Sequence, residues 1–244
     1  MQRVLRPELQ AEAARNLLRF QVESDDLSAD GNLLIAEHWN SHRRNSTMDT
    51  VLDTLKQMAG NRHRCMYCVD SLGSDIEHFW PKASYPNRMY VWENLLLNCT
   101  DCGRRKSNKF PLAQNGEPLL IDPSVEDPWG LLDFDPNTGN LSARYFADQD
   151  KFSDKGEATI EVLHLDRREG VAQGYLRTYR RLCGLVDRWM TSTLEINYIE
   201  QLRETDDHGL LGWFLRGSGK NEPTFLRFHE IYPIEWTRCT QEFP

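Results

Sequence analysis

The stretch that decides the fold reads Cys65-Met-Tyr-Cys68, Asp75-Ile-Glu-His-Phe-Trp-Pro-Lys82, Trp92-Glu-Asn94-Leu95 and Cys99-Thr-Asp-Cys102, and ends at Lys106. Two Cys-x-x-Cys knuckles bracket an acid-histidine pair and an asparagine. Each knuckle offers two thiolates from one side, and zinc takes four soft ligands in a tetrahedron. Cys65, Cys68, Cys99 and Cys102 therefore read as one structural zinc site. Thirty residues separate the knuckles, so the insert should carry structure of its own. In zinc-finger peptides such a site contributes about 10–16 kcal/mol. The remaining cysteines, Cys183 and Cys239, are isolated and read as plain buried thiols.

Around this stretch, 244 residues with 39% apolar content and seven tryptophans argue for a folded chain with at least one full core. No apolar run reaches the length needed to span a bilayer. The first residues carry no signal-peptide pattern, so the expected location is the cytoplasm. There paired cysteines favour metal over disulfide. The net charge of −8 opposes nucleic-acid binding, but it is unevenly spread. Residues 61–112 carry eight Lys/Arg against five Asp/Glu, whereas residues 113–150 carry one Arg against eight Asp/Glu. A weakly basic island in an acidic chain points to a local and intrinsically weak nucleic-acid contact.

The expected fold class is α+β, in four segments: helical 1–60, the motif core 61–112, an acidic hairpin over 113–150, and a helical region 151–244. Leu17, Leu18 and Phe20 fall in a first helix. Val51, Leu52, Leu55 and Met58 recur at helical spacing behind a Ser46-Thr-Met-Asp49 cap, and the polar residues 23–31 read as a loop. Residues 74–79 read as a strand ending at Pro81, and residues 103–109 as a short helix. Strand alternation puts Asp75 and Glu77 on one face and Ile76 and His78 on the other. Pro136-Asn-Thr-Gly139 is a turn between two short strands. Tyr175, Tyr179, Leu182, Val186 and Met190 form a helical stripe, with Arg177, Arg180, Arg181 and Arg188 largely off it as a solvated basic face. The Gly-rich residues 209–221 read as a mobile loop.

Residues 65–110 resemble the HNH nuclease motif of the ββα-metal fold, in which two strands and a helix hold one divalent cation. The family pattern is an acid-His pair, then Asn-Leu, then Cys-x-x-Cys-Asn-x-x-Lys. This chain has Glu77-His78, Asn94-Leu95 and Cys99-Thr-Asp-Cys102-Gly103-Arg-Arg-Lys106. The resemblance implies that His78 is the general base, Glu77 a ligand of a catalytic magnesium or manganese, and Asn94 the residue that shapes the His78 loop. It also implies that Lys106, Arg104, Arg105 and Lys82 contact phosphate. The chain departs from the pattern at Gly103, where the family's Asn ligates the cation; Asp75, Asp101, Asn108 or water would have to replace it. The residue types suit phosphodiester hydrolysis, which needs an activated water, a base and a cation.

A narrower resemblance, over roughly residues 50–190, rests on Ile76-Glu-His-Phe-x-Pro-Lys82, Tyr90-x-Trp-x-Asn-Leu95, Phe110-Pro111, Ile121-Asp-Pro123, Asp127-Pro128 and Thr159-Ile-x-x-Leu-His-Leu165. These strings are similar to the HNH subunit of bacterial Septu-type anti-phage defence systems, including those attached to retrons. That implies an endonuclease acting on DNA, with RNA as the rival substrate. It implies an SMC- or ABC-like ATPase partner and, in retron-linked systems, a reverse-transcriptase complex. The contrasting expectation is a zinc-stapled nucleic-acid-binding or assembly module whose nuclease site has decayed.

Overall fold

Apolar residues at helical spacing build the first three elements. Helix α1 (Ala11–Ala29) buries Ala13, Leu17 and Phe20, while Leu18 faces solvent. Helix α2 (Ile35–His42) buries Trp39, and α3 (Ser46–Met58) buries Met48, Val51 and Leu55. Two expectations are corrected here. Residues 23–29 are not loop: most of their polar side chains face solvent while Ser24 is buried, and the helix runs to Ala29, followed by Asp30 and then Gly31, whose φ of 71° suits the position after the C-cap. The cap of α3 is Asn45, whose side chain accepts from Met48 N at 2.9 Å, rather than Ser46.

This computed structural model describes residues 1–191 and 196–243. Residues 192–195 and 244, part of the expected C-terminal helical region, lie outside the described residues. Strand β1 (Asp75–His78) pairs antiparallel with β2 (Leu95–Asn98), matching Asp75 to Asn98, Ile76 to Leu97, Glu77 to Leu96 and His78 to Leu95. All four residues of β2 are buried, the three leucines as a continuous apolar run predicts and Asn98 as its polar end. A two-stranded sheet is marginal by itself, and here α3 covers β2 while α1 packs on α3. The chain leaves β2 through Cys99 into α4 (Thr100–Lys106). The expected helix over 103–109 thus begins three residues earlier, inside the second knuckle, and ends at Lys106.

The chain forms two compact units. One comprises Val4–Tyr67 with Ser71–Glu117 and holds these elements; the other comprises Pro118–Pro244 with Met1–Arg3 and Cys68–Asp70. The second unit opens with the expected hairpin, β3 (Leu132–Phe134) against β4 (Leu141–Ala143). A smaller hairpin follows, β5 (Tyr145–Phe146) with β6 (Lys151–Phe152). Helix α5 (Asp154–Leu163) packs on β4. Helix α6 (Glu169–Trp189) buries Tyr175, Leu182 and Val186 of the stripe, leaving its four arginines exposed. Then come α7 (Tyr198–Thr205), α8 (Leu211–Leu215), α9 (Pro223–Ile231) and α10 (Pro233–Glu242).

The mobile loop expected over 209–221 is overturned. Leu210, Leu211, Trp213, Phe214 and Leu215 are buried, and the Trp213 indole N–H donates to Asp133 at 2.6 Å. The apolar run outweighs the glycines around it. Cys239 is buried and Cys183 half-buried, and burial pushes both thiols up to about 11. No helix among the described residues is long and apolar enough to cross a membrane.

Ser107 ends α4 at φ 45° and ψ −124°, a conformation that favours glycine. Ser107 is exposed, so Ser107→Gly removes strain with little loss of contact. The expected gain is about 1 kcal/mol, read as a raised thermal midpoint; an unchanged or lower midpoint contradicts it.

Candidate metal centre and acid-histidine site

The metal group forms because each knuckle turns two cysteines toward the same point. One ligand atom from each of Cys65, Cys68, Cys99 and Cys102 lies within 4.8 Å of the others, and all four residues are buried. The Cys102 N–H donates to Cys99 Sγ at 3.4 Å, which caps α4 and orients the sulfur. The Met66 N–H donates to the Leu97 carbonyl, and Leu97 N–H to Met66 Sδ, so the first knuckle is fastened to β2. Four thiols at this spacing suit a tetrahedral ion with metal–sulfur bonds of about 2.3 Å, whose sulfurs sit roughly 3.8 Å apart. The donor set fits zinc.

Glu77 and His78 occupy the end of β1. The Glu77 carboxylate faces α4. Its Oε1 accepts from Lys106 Nζ at 2.9 Å and its Oε2 from Asn98 Nδ2 at 3.0 Å. The Lys106 ammonium also donates to the His78 carbonyl at 2.7 Å. Lys106 is 0% exposed, so the ammonium that the resemblance assigns to phosphate points inward to Glu77 and β1. Burial lowers the Lys106 pKa, and the Glu77 charge opposes that shift.

His78 is buried, and its ring meets that of Trp39 edge-on, with centroids 4.5 Å apart. Nε2 lies 3.0 Å from the Met89 carbonyl. A carbonyl only accepts, so Nε2 carries the proton and the Nδ1 lone pair is left for another donor. Burial, reinforced by the Lys82 charge, holds the imidazole at about 3, so the ring is neutral across the physiological range. Met89 is held nearby because Tyr90 N–H donates to Gln21 Oε1 of α1 at 2.8 Å.

Asn94 spans the chain that follows β1. Its Oδ1 accepts from Trp80 N–H at 2.7 Å, and its amide donates to the Trp80 carbonyl at 3.0 Å and the Arg88 carbonyl at 2.8 Å. Lys82 is half-buried over the Trp39 ring, and Arg43 lies within electrostatic reach of it. Arg43 caps the end of α2. It escapes sequence reading, because nothing at that position marks it as a neighbour of residue 82. Arg104 is exposed on α4, and Arg105 bonds Asp101 at 3.1 Å. Trp80, Tyr85 and Phe110 form a half-exposed aromatic cluster, with the Arg88 guanidinium 4.6 Å from the Trp80 ring.

The candidates for the ligand missing at Gly103 are dispersed. Asp75 accepts from the Ser74 and Thr100 hydroxyls, Asp101 is tied to Arg105, and Asn108 is exposed beyond α4. The side chain that does stand against Glu77 and Gly103 is Asn98. Asp75, Glu77, Leu96 and Asn98 share a face once the β1–β2 register is known, but that register is not written in the local sequence.

Two outcomes follow. Removing one partner of a buried ion pair leaves an uncompensated charge. Lys106→Met is therefore expected to lower stability by about 3 kcal/mol, measured by denaturant unfolding; an unchanged midpoint would return Lys106 to a purely phosphate-facing role. Elemental analysis should find about one zinc per chain. Cys102→Ser should lose the zinc and the cooperative melting of residues 61–112, whereas reduced wild-type protein free of zinc would sink the assignment.

No protein-family model matches the chain. The chain is 26% identical over 164 residues to the Septu protein PtuB of Bacillus thuringiensis. That likeness covers 64% of this chain and 58% of the relative's length.

Proposed function

We propose that this chain is a divalent-cation-dependent HNH endonuclease that hydrolyses phosphodiester bonds, with DNA favoured over RNA. It serves as the effector subunit of a bacterial anti-phage defence complex with an SMC- or ABC-like ATPase, in some systems alongside a retron reverse-transcriptase complex. The observation that carries the reading is His78: a neutral imidazole with its proton fixed on Nε2 by the Met89 carbonyl, one residue from a carboxylate.

In this reading His78 Nδ1 takes a proton from water, and the water oxygen forms the new bond to phosphorus. The ester P–O bond breaks and its oxygen leaves with a proton from solvent. Glu77, through Oε2, would hold magnesium or manganese, which prefers oxygen donors. That ion, when bound, neutralises charge on the phosphate and leaving oxygen. Asn94 holds the segment after His78. Lys82, Arg104 and Arg105 meet phosphate, and Lys106 fixes the Glu77 carboxylate from behind. The Trp80, Tyr85 and Phe110 cluster offers faces on which an unpaired base can stack, worth about 1–3 kcal/mol per base. The similarity to Septu protein PtuB supports the defence setting, and the four-cysteine group supports a zinc-stapled core.

A second reading has its own observation. Glu77 already has the Lys106 ammonium as its counter-charge and Gly103 offers no ligand, which favours a binding or assembly module without catalysis. Cleavage of duplex DNA, single-stranded DNA and RNA with magnesium or manganese separates the two, run with and without any co-purifying ATPase. His78→Ala is expected to lose at least a factor of about 100 in rate, the scale of general-base catalysis. No cleavage by wild type, or cleavage unchanged in His78→Ala, would transfer the assignment to the binding module.

A further inference from the structure

Asn98 ends β2 with the residue 2% exposed, and its Oδ1 has no hydrogen-bond partner among the described residues. A buried carbonyl oxygen without a donor is costly. Here it lies on an amide whose other end touches the Glu77 carboxylate at 3.0 Å. The same amide fills the space at Gly103: a Cβ there would come within 2.7 Å of Asn98 Nδ2 and 3.6 Å of Glu77 Oε2. A side chain on α4 at position 103 and the Asn98 amide therefore exclude one another. The volume that a helix-borne ligand would enter is occupied by a strand-borne amide, and the glycine admits it.

We infer that Asn98 is a cation ligand of this chain, supplying with Glu77 Oε2 a pair of adjacent oxygen donors in place of the one Gly103 cannot provide. This rests on the cation-dependent nuclease reading above. The side-chain amide can present either end by turning about its terminal bond, because Oδ1 accepts nothing that would hold it. Turned, it would put an oxygen where Nδ2 now stands, 3.0 Å from Glu77 Oε2. Two neighbouring ligands of an octahedral ion with bonds of about 2.1 Å are separated by roughly 3.0 Å. Lys106 holds the other carboxylate oxygen, so Glu77 keeps Oε2 available toward Asn98. Without a cation the amide donates to Glu77, and with one the same amide accepts.

The test is a manganese titration of zinc-loaded protein, with free Mn²⁺ followed by electron paramagnetic resonance, on wild type, Asn98→Ala, Asn98→Asp and Glu77→Ala. Zinc content reports that each variant is folded. Asn98→Ala is expected to weaken Mn²⁺ binding at least tenfold. Asn98→Asp is expected to bind as tightly as wild type or more so, since a carboxylate is the better ligand. Weakened Mn²⁺ binding in Asn98→Asp overturns the inference. Equal binding by wild type and Asn98→Ala, with loss only in Glu77→Ala, overturns the role of Asn98 and leaves the nuclease reading standing. No Mn²⁺ binding by wild type at all overturns both.

Discussion

The buried ammonium of Lys106 is the constraint on which the acid-histidine site depends. A lysine is almost never fully buried unless it is paired, and this one is satisfied by the Glu77 carboxylate and the His78 carbonyl. It lies in the last turn of α4, where a cation also complements the helix dipole. One side chain thus fastens the end of the helix to the end of β1. It fixes the carboxylate so that only Oε2 remains toward Asn98, and it holds the backbone from which the His78 ring projects. The knuckles fasten the other end of the same helix through Cys99 and Cys102. The Glu77–His78 pair therefore sits between two anchors, one of thiols and one of charge.

The electrostatics of His78 follow from that frame. Burial disfavours the imidazolium, and the Lys82 and Lys106 charges disfavour it further. The Met89 carbonyl orients the ring and partly opposes that shift. A neutral imidazole with a directed lone pair is what a general base requires before reaction. Its weak basicity is the counterpart of an environment without substrate, because an incoming phosphate brings negative charge beside the same lysines. Burial against Trp39 also keeps the ring in one orientation, as a preformed site requires.

Much of this was legible in the sequence, and the remainder was hidden for identifiable reasons. The cysteines could be read because knuckle spacing is local and zinc geometry is strict. Glu77, His78 and Asn94 are singled out by a linear pattern, and the structure places Glu77 and His78 at the end of β1 with Asn94 bracing the chain that follows. Lys106 was read with the wrong environment, since a lysine among arginines on a short helix looks solvated and only tertiary contact reveals its partner. Asn98 is not marked by the local sequence, because its place beside Glu77 depends on strand register. Residues 23–29 misled because a polar run is equally a loop or the wet side of a helix. Residues 209–221 misled because glycine content obscured the apolar run 210–215.

The acidic charge of the chain and its proposed substrate are reconciled by distance. At physiological ionic strength, exposed charges separated by more than about 8 Å are largely screened. In the proposed reading a phosphate at the site meets Lys82, Arg104 and Arg105 at close range, rather than the net −8 of the whole chain. That local field can align a phosphodiester but neutralises few phosphates, and non-specific affinity grows with the number neutralised. On the nuclease reading proposed above, such a site sits on a surface that does not accumulate nucleic acid by itself, and its encounter with substrate depends on a partner that supplies the wider positive surface. In that reading the geometry of β1, β2 and α4 governs the chemistry, and the charge balance of the chain governs when that chemistry meets a strand.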